Sequence, residues 1–406
     1  MPVVVIGVLI IIAALGYKQY QSSSPVAPSA PSPEDPSRTV APAPAPATQP
    51  APTQPQASVP AEAASKPAPA PPPSAQPEAA PTEPKDLVSG LATLDGKQPI
   101  SPEQAQKWRE SLQQLVRQGP ASVPAIEQFL AQNQDANYAG VSGANALGYN
   151  SLRSAMLDAL TQIGGSDATQ AMLQIMQSSI YPTDIATLAK TLDTQGQYQQ
   201  PILDAVRQQL NLAAMDQLGG ANVLPLFQVL ASEAANGANV SSDLTQYSEK
   251  WPYYSSIALA SLPEGAGVPN LIQIAQGNLA GNPSAAAQAL AELAPQNPQA
   301  LNSLLDLAKG GQLTDSALAQ LAPFLAGRQF QLGPPQDPAA GGYMTYHIAV
   351  GNQDFSAFDT GGAMTQPQIS ERLSLIGQFL QAIPSADVAA QDALQQQRSA
   401  LTARQK

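Results

Sequence analysis

The stretch SLRSAMLDALTQIGGSDATQAMLQIM, Ser151–Met176, decides the fold. Its paired glycines, Gly164 and Gly165, admit two readings: the turn of a phosphate-binding loop, or a joint between two helices. A Walker-type loop needs Gly-Lys-Ser/Thr opening a helix after a strand, and neither the lysine nor a strand-like run is present. Both flanks are helical instead. Ala155, Ala159, Leu160 and Ile163 precede the glycines, and Ala168, Ala171, Met172 and Ile175 follow at the spacing of an amphipathic helix. Glycine takes the left-handed conformation at a helix C-terminus without steric cost, so the pair reads as a joint, with Ser166 or Asp167 placed to cap the second helix.

The arrangement recurs. GPASVPAIEQFLA, GGANVLPLFQVLA and EGAGVPNLIQIAQ each set a glycine and a short turn before a helical apolar face, and the first apolar positions, Val123, Ala168, Val223 and Val268, lie 45, 55 and 45 residues apart. Ahead of three of these turns stands a further helix, with Ala155, Ala159, Ala213, Ala214, Ala258 and Ala260 small enough for close helix approach. The unit helix, glycine turn, helix resembles the HEAT-like repeats of the α-solenoid family that also includes armadillo arrays, over roughly residues 101–326. Arg153, Ala155, Ala159, Leu160, Ile163 and Gly164 stand where that pattern expects them. The resemblance implies an all-α solenoid of helix pairs whose second helices line a concave, protein-binding surface. The uneven spacing leaves an irregular helical bundle as the alternative.

Outside the repeats, the run PVVVIGVLIIIAALGY, Pro2–Tyr17, carries no charge. It predicts a transmembrane signal anchor over residues 1–21, with a cleaved secretory signal as the alternative. Residues 22–84 hold 20 of the chain's 40 prolines and no aromatic residue, so they cannot build a core and read as a Pro/Ala-rich disordered linker. HEAT-like repeats are expected over 85–326, an irregular segment with a β-hairpin over 327–368, and capping helices over 369–406. An anchor followed by a long spacer suggests a single-pass protein of a bacterial inner membrane, its C-terminal domain in the periplasm or outside the cell. A cytosolic adaptor in the opposite orientation is the alternative.

The net charge of −12 and the absence of a basic patch argue against a nucleic-acid partner. The absence of cysteine removes disulfides, Cys-ligated zinc, iron–sulfur clusters and thiol nucleophiles. No metal or cofactor is expected.

The hairpin is predicted from YMTYHIAV and QDFSAFD around Gly351-Asn352. That register sets Ile348 against Phe355 on one face and the chain's single histidine, His347, against Ser356 on the other, with Asp354 on the diagonal. A Ser/His/Asp hydrolase is one reading of that face, although no nucleophile elbow accompanies it. Metal binding by His347, Asp354 and Asp359 matches no known ligand spacing. Five of the 20 aromatic residues fall within Arg328–Gln368. Phe330, Tyr343, Tyr346, Phe355 and Phe358, with His347 and the cluster Trp251, Tyr253 and Tyr254, are therefore the candidate partner-binding residues. The expected function is a membrane-anchored envelope scaffold or adaptor binding another protein. The alternatives are a cell-wall or polysaccharide binder stacking on those aromatics and a hydrolase using the hairpin face.

Overall fold

Proline starts helices in this fold. Pro84, Pro102, Pro124, Pro225, Pro252, Pro269, Pro283, Pro298 and Pro367 each sit in a first helical turn, where the missing N–H leaves no hydrogen bond unmade. The computed structural model describes residues 82–193, 197–333, 344–360 and 364–405, and these belong to one unit. The first half contains α1 (Pro84–Ala92), α2 (Pro102–Arg117), α3 (Val123–Ala131), α4 (Leu152–Ile163), α5 (Gly165–Ser178), α6 (Pro182–Asp193), α7 (Gln199–Ala214) and α8 (Leu224–Ala235). There follow α9 (Ser241–Gln246), α10 (Pro252–Ala260), α11 (Val268–Ala275), α12 (Pro283–Leu293), α13 (Pro298–Lys309) and α14 (Asp315–Leu325). Three strands come next, β1 (Arg328–Gln331), β2 (Met344–Val350) and β3 (Gln353–Asp359), and then α15 (Gln366–Ala382) and α16 (Val388–Arg404). The protein is thus predominantly helical, with a small three-stranded antiparallel sheet near the C-terminus.

Most helices pack against those one and two places along the chain, a pattern compatible with a helical repeat. Even-numbered helices from α2 to α16 make one continuous row. The odd-numbered helices make a second row that is interrupted at α9, where polar side chains take over the connection. Arg207 of α7 pairs with Asp243 of α9 at 2.9 Å, and Asn270 of α11 donates to the Thr245 hydroxyl of α9 at 2.8 Å.

These rows revise the repeat register that sequence spacing suggests. The four glycine-led helices are α3, α5, α8 and α11; three lie in the odd row, but α8 lies in the even one. An additional helix, α6, shifts the phase between α5 and α8, and the short α9 shifts it back before α11. The joint in Ser151–Met176 is also tighter than expected. Gly164 (φ 62°) is the sole residue between α4 and α5, and Gly165 (φ 79°) already begins α5. Neither Ser166 nor Asp167 caps α5, because both fall inside its first turn and the N-cap position is occupied by glycine.

Arg153, at the start of α4, ties three helices together. It is 2% exposed, bonds Asp184 of α6 through Nε at 2.6 Å, and donates from Nη1 to the Leu130 carbonyl in the last turn of α3 at 2.9 Å. The Tyr181 ring lies under the guanidinium at 4.6 Å. Burial raises the Asp184 carboxyl above the usual carboxylate range even with Arg153 beside it. Farther along, α12 is buried all round: Ala285, Ala286, Ala287, Ala289, Leu290 and Ala291 are each inaccessible, and α10, α11, α13, α14 and β1 pack around it.

The predicted anchor over residues 1–21 and the linker as far as Pro81 lie outside the described residues. Among the described residues no helix is long and apolar enough to cross a membrane. The longest, α15 and α16, have 17 residues each and carry charges such as Arg372 and Asp392. The expected placement as a single-pass inner-membrane protein with an external C-terminal domain is corrected accordingly.

Removing one member of a buried ion pair strands the other charge. Arg153→Ala is expected to lower stability by about 3–5 kcal/mol, measured as the urea unfolding midpoint, whereas Lys97→Ala, which breaks the exposed Lys97–Asp95 pair, leaves the midpoint unchanged. Equal and small shifts for the two variants would show that Arg153 does not hold α3, α4 and α6 together.

Candidate functional site

The sheet begins where α14 stops. Gly327 (φ 116°) turns the chain out of the helix, and its carbonyl accepts both the N–H and the hydroxyl of Thr360, at 3.1 and 2.6 Å, so both ends of the sheet segment meet at one residue. The strand order is β1-β3-β2. In the β2–β3 pair Ile348 faces Phe355 and His347 faces Ser356, the register expected from Gly351-Asn352 as the turn. The additional strand, β1, pairs with β3 and enlarges the expected hairpin to a sheet. At four residues, RQFQ, it is too short and polar to show an alternating pattern in the sequence.

One face of the sheet packs on the even row, against α10, α12 and α14. Phe355 is inaccessible and stacks on Tyr253 of α10 with centroids 4.8 Å apart. Phe330 meets Phe355 edge-on at 5.7 Å and Phe324 of α14 at 4.4 Å. Such geometry is favourable beyond the area it removes from water. It also reassigns most of the candidate partner-binding aromatics. Phe330, Phe355, Trp251 and Tyr254 are buried, with Trp251 and Tyr254 packed on Phe227 of α8. Tyr253, Tyr346 and Phe358 are half-buried, His347 is exposed, and Tyr343 lies outside the described residues. The aromatic rings of this region thus fill the seam between sheet and helices, because a short sheet holds to a helical row only by burying large side chains.

Polar contacts pin the seam at successive even-row helices. Gln228 of α8 donates to the Leu332 carbonyl at 3.0 Å. The Gln353 carboxamide oxygen accepts the N–H groups of Tyr253 and Tyr254, at 2.8 and 3.1 Å, and so caps the N-terminus of α10 from 100 residues away. The Tyr254 hydroxyl accepts the Asp354 N–H at 2.6 Å. Glu292, at the end of α12, accepts the Phe330 N–H at 2.9 Å. Burial pushes its carboxyl up to about 7, against the opposing effects of that hydrogen bond and of the Arg372 charge. None of these four contacts could be foreseen from sequence, since each depends on which helix the sheet lands on.

At the edge of the seam Arg328 forms a double hydrogen bond with Asp359, at 2.8 and 3.2 Å, and lies over the Tyr346 ring at 3.8 Å. The Tyr346 hydroxyl donates to the same carboxylate at 2.7 Å, and burial raises its pKa. Asp359 is therefore occupied by Arg328 and Tyr346, away from the other members of the expected metal set. On the opposite face His347 Nε2 lies against the Asp354 carboxylate, while the buried Ser356 hydroxyl donates to the Gly333 carbonyl at 2.7 Å. His347 and Asp354 are brought together as the register implied, and Ser356 is directed to a different acceptor.

What this face leaves open is the edge of β2. In an antiparallel pair the directly opposed residues alternate between hydrogen-bonded and non-hydrogen-bonded pairs. With Val350 and Gln353 closing the turn, the alternation directs the backbone groups of Ala349 and His347 away from β3. Ala349 and Val350 are exposed, Val350 at 40%. No strand pairs with this edge among the described residues.

No protein-family model matches the chain, and no curated protein matches it. A solved chain described as "Computational Design of Self-Assembling Cyclic Protein Homooligomers" aligns with 79% of this chain and 93% of its own length at 13% identity and a TM-score of 0.12, a likeness that carries no argument.

Glu292 provides a pH signature for the seam. The folded carboxyl holds its proton up to about pH 7, whereas the unfolded one releases it near 4.5, so its contribution is complete below about 4.5 and is lost as pH rises through about 7. The stability difference between the native protein and Glu292→Gln is expected to change in that window, read by urea unfolding at pH 4.5 and 8; a difference independent of pH would place Glu292 in water. Gln353→Ala, which uncaps α10, is expected to cost about 1 kcal/mol in the same assay, and an unchanged midpoint would rule out the cap.

Proposed function

We propose that the chain is a scaffold or adaptor that binds another protein, with its helices arranged as a HEAT-like α-solenoid. The stacking of most helices on those one and two places along supports the solenoid reading, because such arrays present long surfaces of repeated helix ends and faces. The even row, continuous from α2 to α16, supplies a rigid backing, and the sheet is strapped across it at α8, α10, α12 and α14.

The observation that carries the reading is the β2 edge. A strand with outward N–H and C=O groups, held on a rigid base and ending in an exposed valine, offers the hydrogen bonds that an extended segment of a partner takes up by strand addition. In this reading the buried aromatics anchor the strand, and His347, Ala349 and Val350 make the contact. The His347–Asp354 pair, on the face away from the helices, contributes to the choice of partner side chain.

The test is site-specific photo-cross-linking in the source cells. A cross-linker at Val350 is expected to trap one protein, and Ala349→Pro, which removes an outward N–H without a β2–β3 hydrogen bond, is expected to abolish the adduct while the helical circular dichroism is kept. An adduct that survives Ala349→Pro, or no adduct at Val350 beside a positive adduct elsewhere on the helices, refutes strand addition at β2.

A further inference from the structure

A cleft of about 460 Å³ opens between one face of α5 and the residues leading into α7. Ser166, Thr169, Gln170 and Leu173 line it from α5, spaced so that all four share a face, and Gln197 and Tyr198 line it from the other side. The volume lies in the range of small-molecule sites.

Thr169 is the informative member. It is 8% exposed, yet its hydroxyl has no hydrogen-bond partner among the described residues. Other helical threonines of the chain, Thr161 and Thr187, return theirs to the carbonyl four residues back, at 3.1 and 2.8 Å. The hydroxyl oxygen is open to water in the cleft, and an occupant can take the place of that water. The helix ends point the same way. The N-cap of α5 is Gly164, which has no side chain, and Tyr198 at the N-cap of α7 makes no capping hydrogen bond, so both helices begin beside the cleft without side-chain caps.

Charge selects the ligand class. Free N–H groups at a helix start attract anions, but among the described residues no lysine or arginine lines the cleft, Asp167 stands in the first turn of α5, and the chain carries a net charge of −12. An oxyanion would find donors and no counter-charge. A neutral molecule rich in hydroxyl groups would use the same donors without repulsion. The carboxamides of Gln170 and Gln197 and the hydroxyl of Thr169 can donate and accept, as hydroxyl recognition needs, while the Ser166 hydroxyl, which donates to Asp167 at 3.1 Å, can accept. Tyr198 supplies an aromatic face, and Gln197 Nε2 donates to its phenol oxygen at 2.9 Å, which holds the ring.

We propose that this cleft binds a neutral carbohydrate, one or two sugar units long, stacked on Tyr198 and hydrogen-bonded by Thr169, Gln170, Gln197 and the first N–H groups of α5. The site is separate from the β2 edge and stands or falls independently of it. The full chain is titrated with glucose, galactose, N-acetylglucosamine, maltose and cellobiose, and separately with inorganic phosphate, by saturation-transfer NMR and tyrosine fluorescence. At least one sugar is expected to bind, and Thr169→Val and Tyr198→Ala are each expected to weaken it about tenfold, while Gln395→Ala on the distant α16 leaves it unchanged. Where Tyr198→Ala loses helical circular dichroism, Thr169→Val, which keeps the side-chain volume, decides alone. Binding of none of the five sugars, binding of phosphate in their place, or sugar binding that survives the deciding substitution overturns the proposal.

Discussion

Helix α12 has to be thin. Two helix rows and the sheet converge on it, and they meet only because the residues it presents to its neighbours are nearly all alanine. Alanine gives up no side-chain rotamer freedom on burial and lets backbones approach closely, so the gain comes from many short-range dispersion contacts. Any larger side chain on α12 would have to displace a helix in one direction or the sheet in another. Its single carboxylate, Glu292, sits where β1 arrives and meets the backbone N–H that the strand brings to it. The junction of helices and sheet is therefore governed by the smallest side chains of the chain.

A second theme is how helix ends are satisfied in a chain with few charges. Cations borrowed from a later part of the chain close the C-terminal ends. Arg153 of α4 serves Leu130 of α3, Lys250 serves Ala214 of α7, and Arg372 of α15 serves Phe324 and Leu325 of α14. Each places a positive group at the negative end of a helix dipole as well as donating to an orphan carbonyl. Two of the three, Arg153 and Arg372, are buried, so these cations fix how neighbouring helices dock as well as how a helix ends.

Much of the helical framework is legible in the sequence because amphipathic spacing and proline placement are local properties. The helix starts at Pro102, Pro252 and Pro298 and the glycine joint at Gly164 need no knowledge of the rest of the chain. The row to which a helix belongs is a different matter. Segments such as α6 and α9 move the phase of the array, and nothing in their own residues marks the shift. The hairpin register follows from alternation around Gly351-Asn352, but the role of its aromatics does not. Phe355 and Val350 are both apolar strand residues, and only the position of α10 makes one of them core and leaves the other at the surface. For the same reason the carboxamide of Gln353 gives no hint of being a helix cap, since its acceptor function is completed by backbone 100 residues distant.

That distance has a consequence for synthesis. The start of α10 leaves a ribosome about 100 residues before Gln353, which at roughly 5–20 residues per second is an interval on the order of 5–20 s. During that time α10 has no cap from the sheet, the phenol of Tyr254 has no Asp354 to accept from, and Tyr253 has no ring to stack on. The earlier helices can stack as they emerge, each on its predecessors. The middle of the array gains its last partners when the strands arrive, so a nascent chain carries an aromatic seam open to chaperones until its sheet is made.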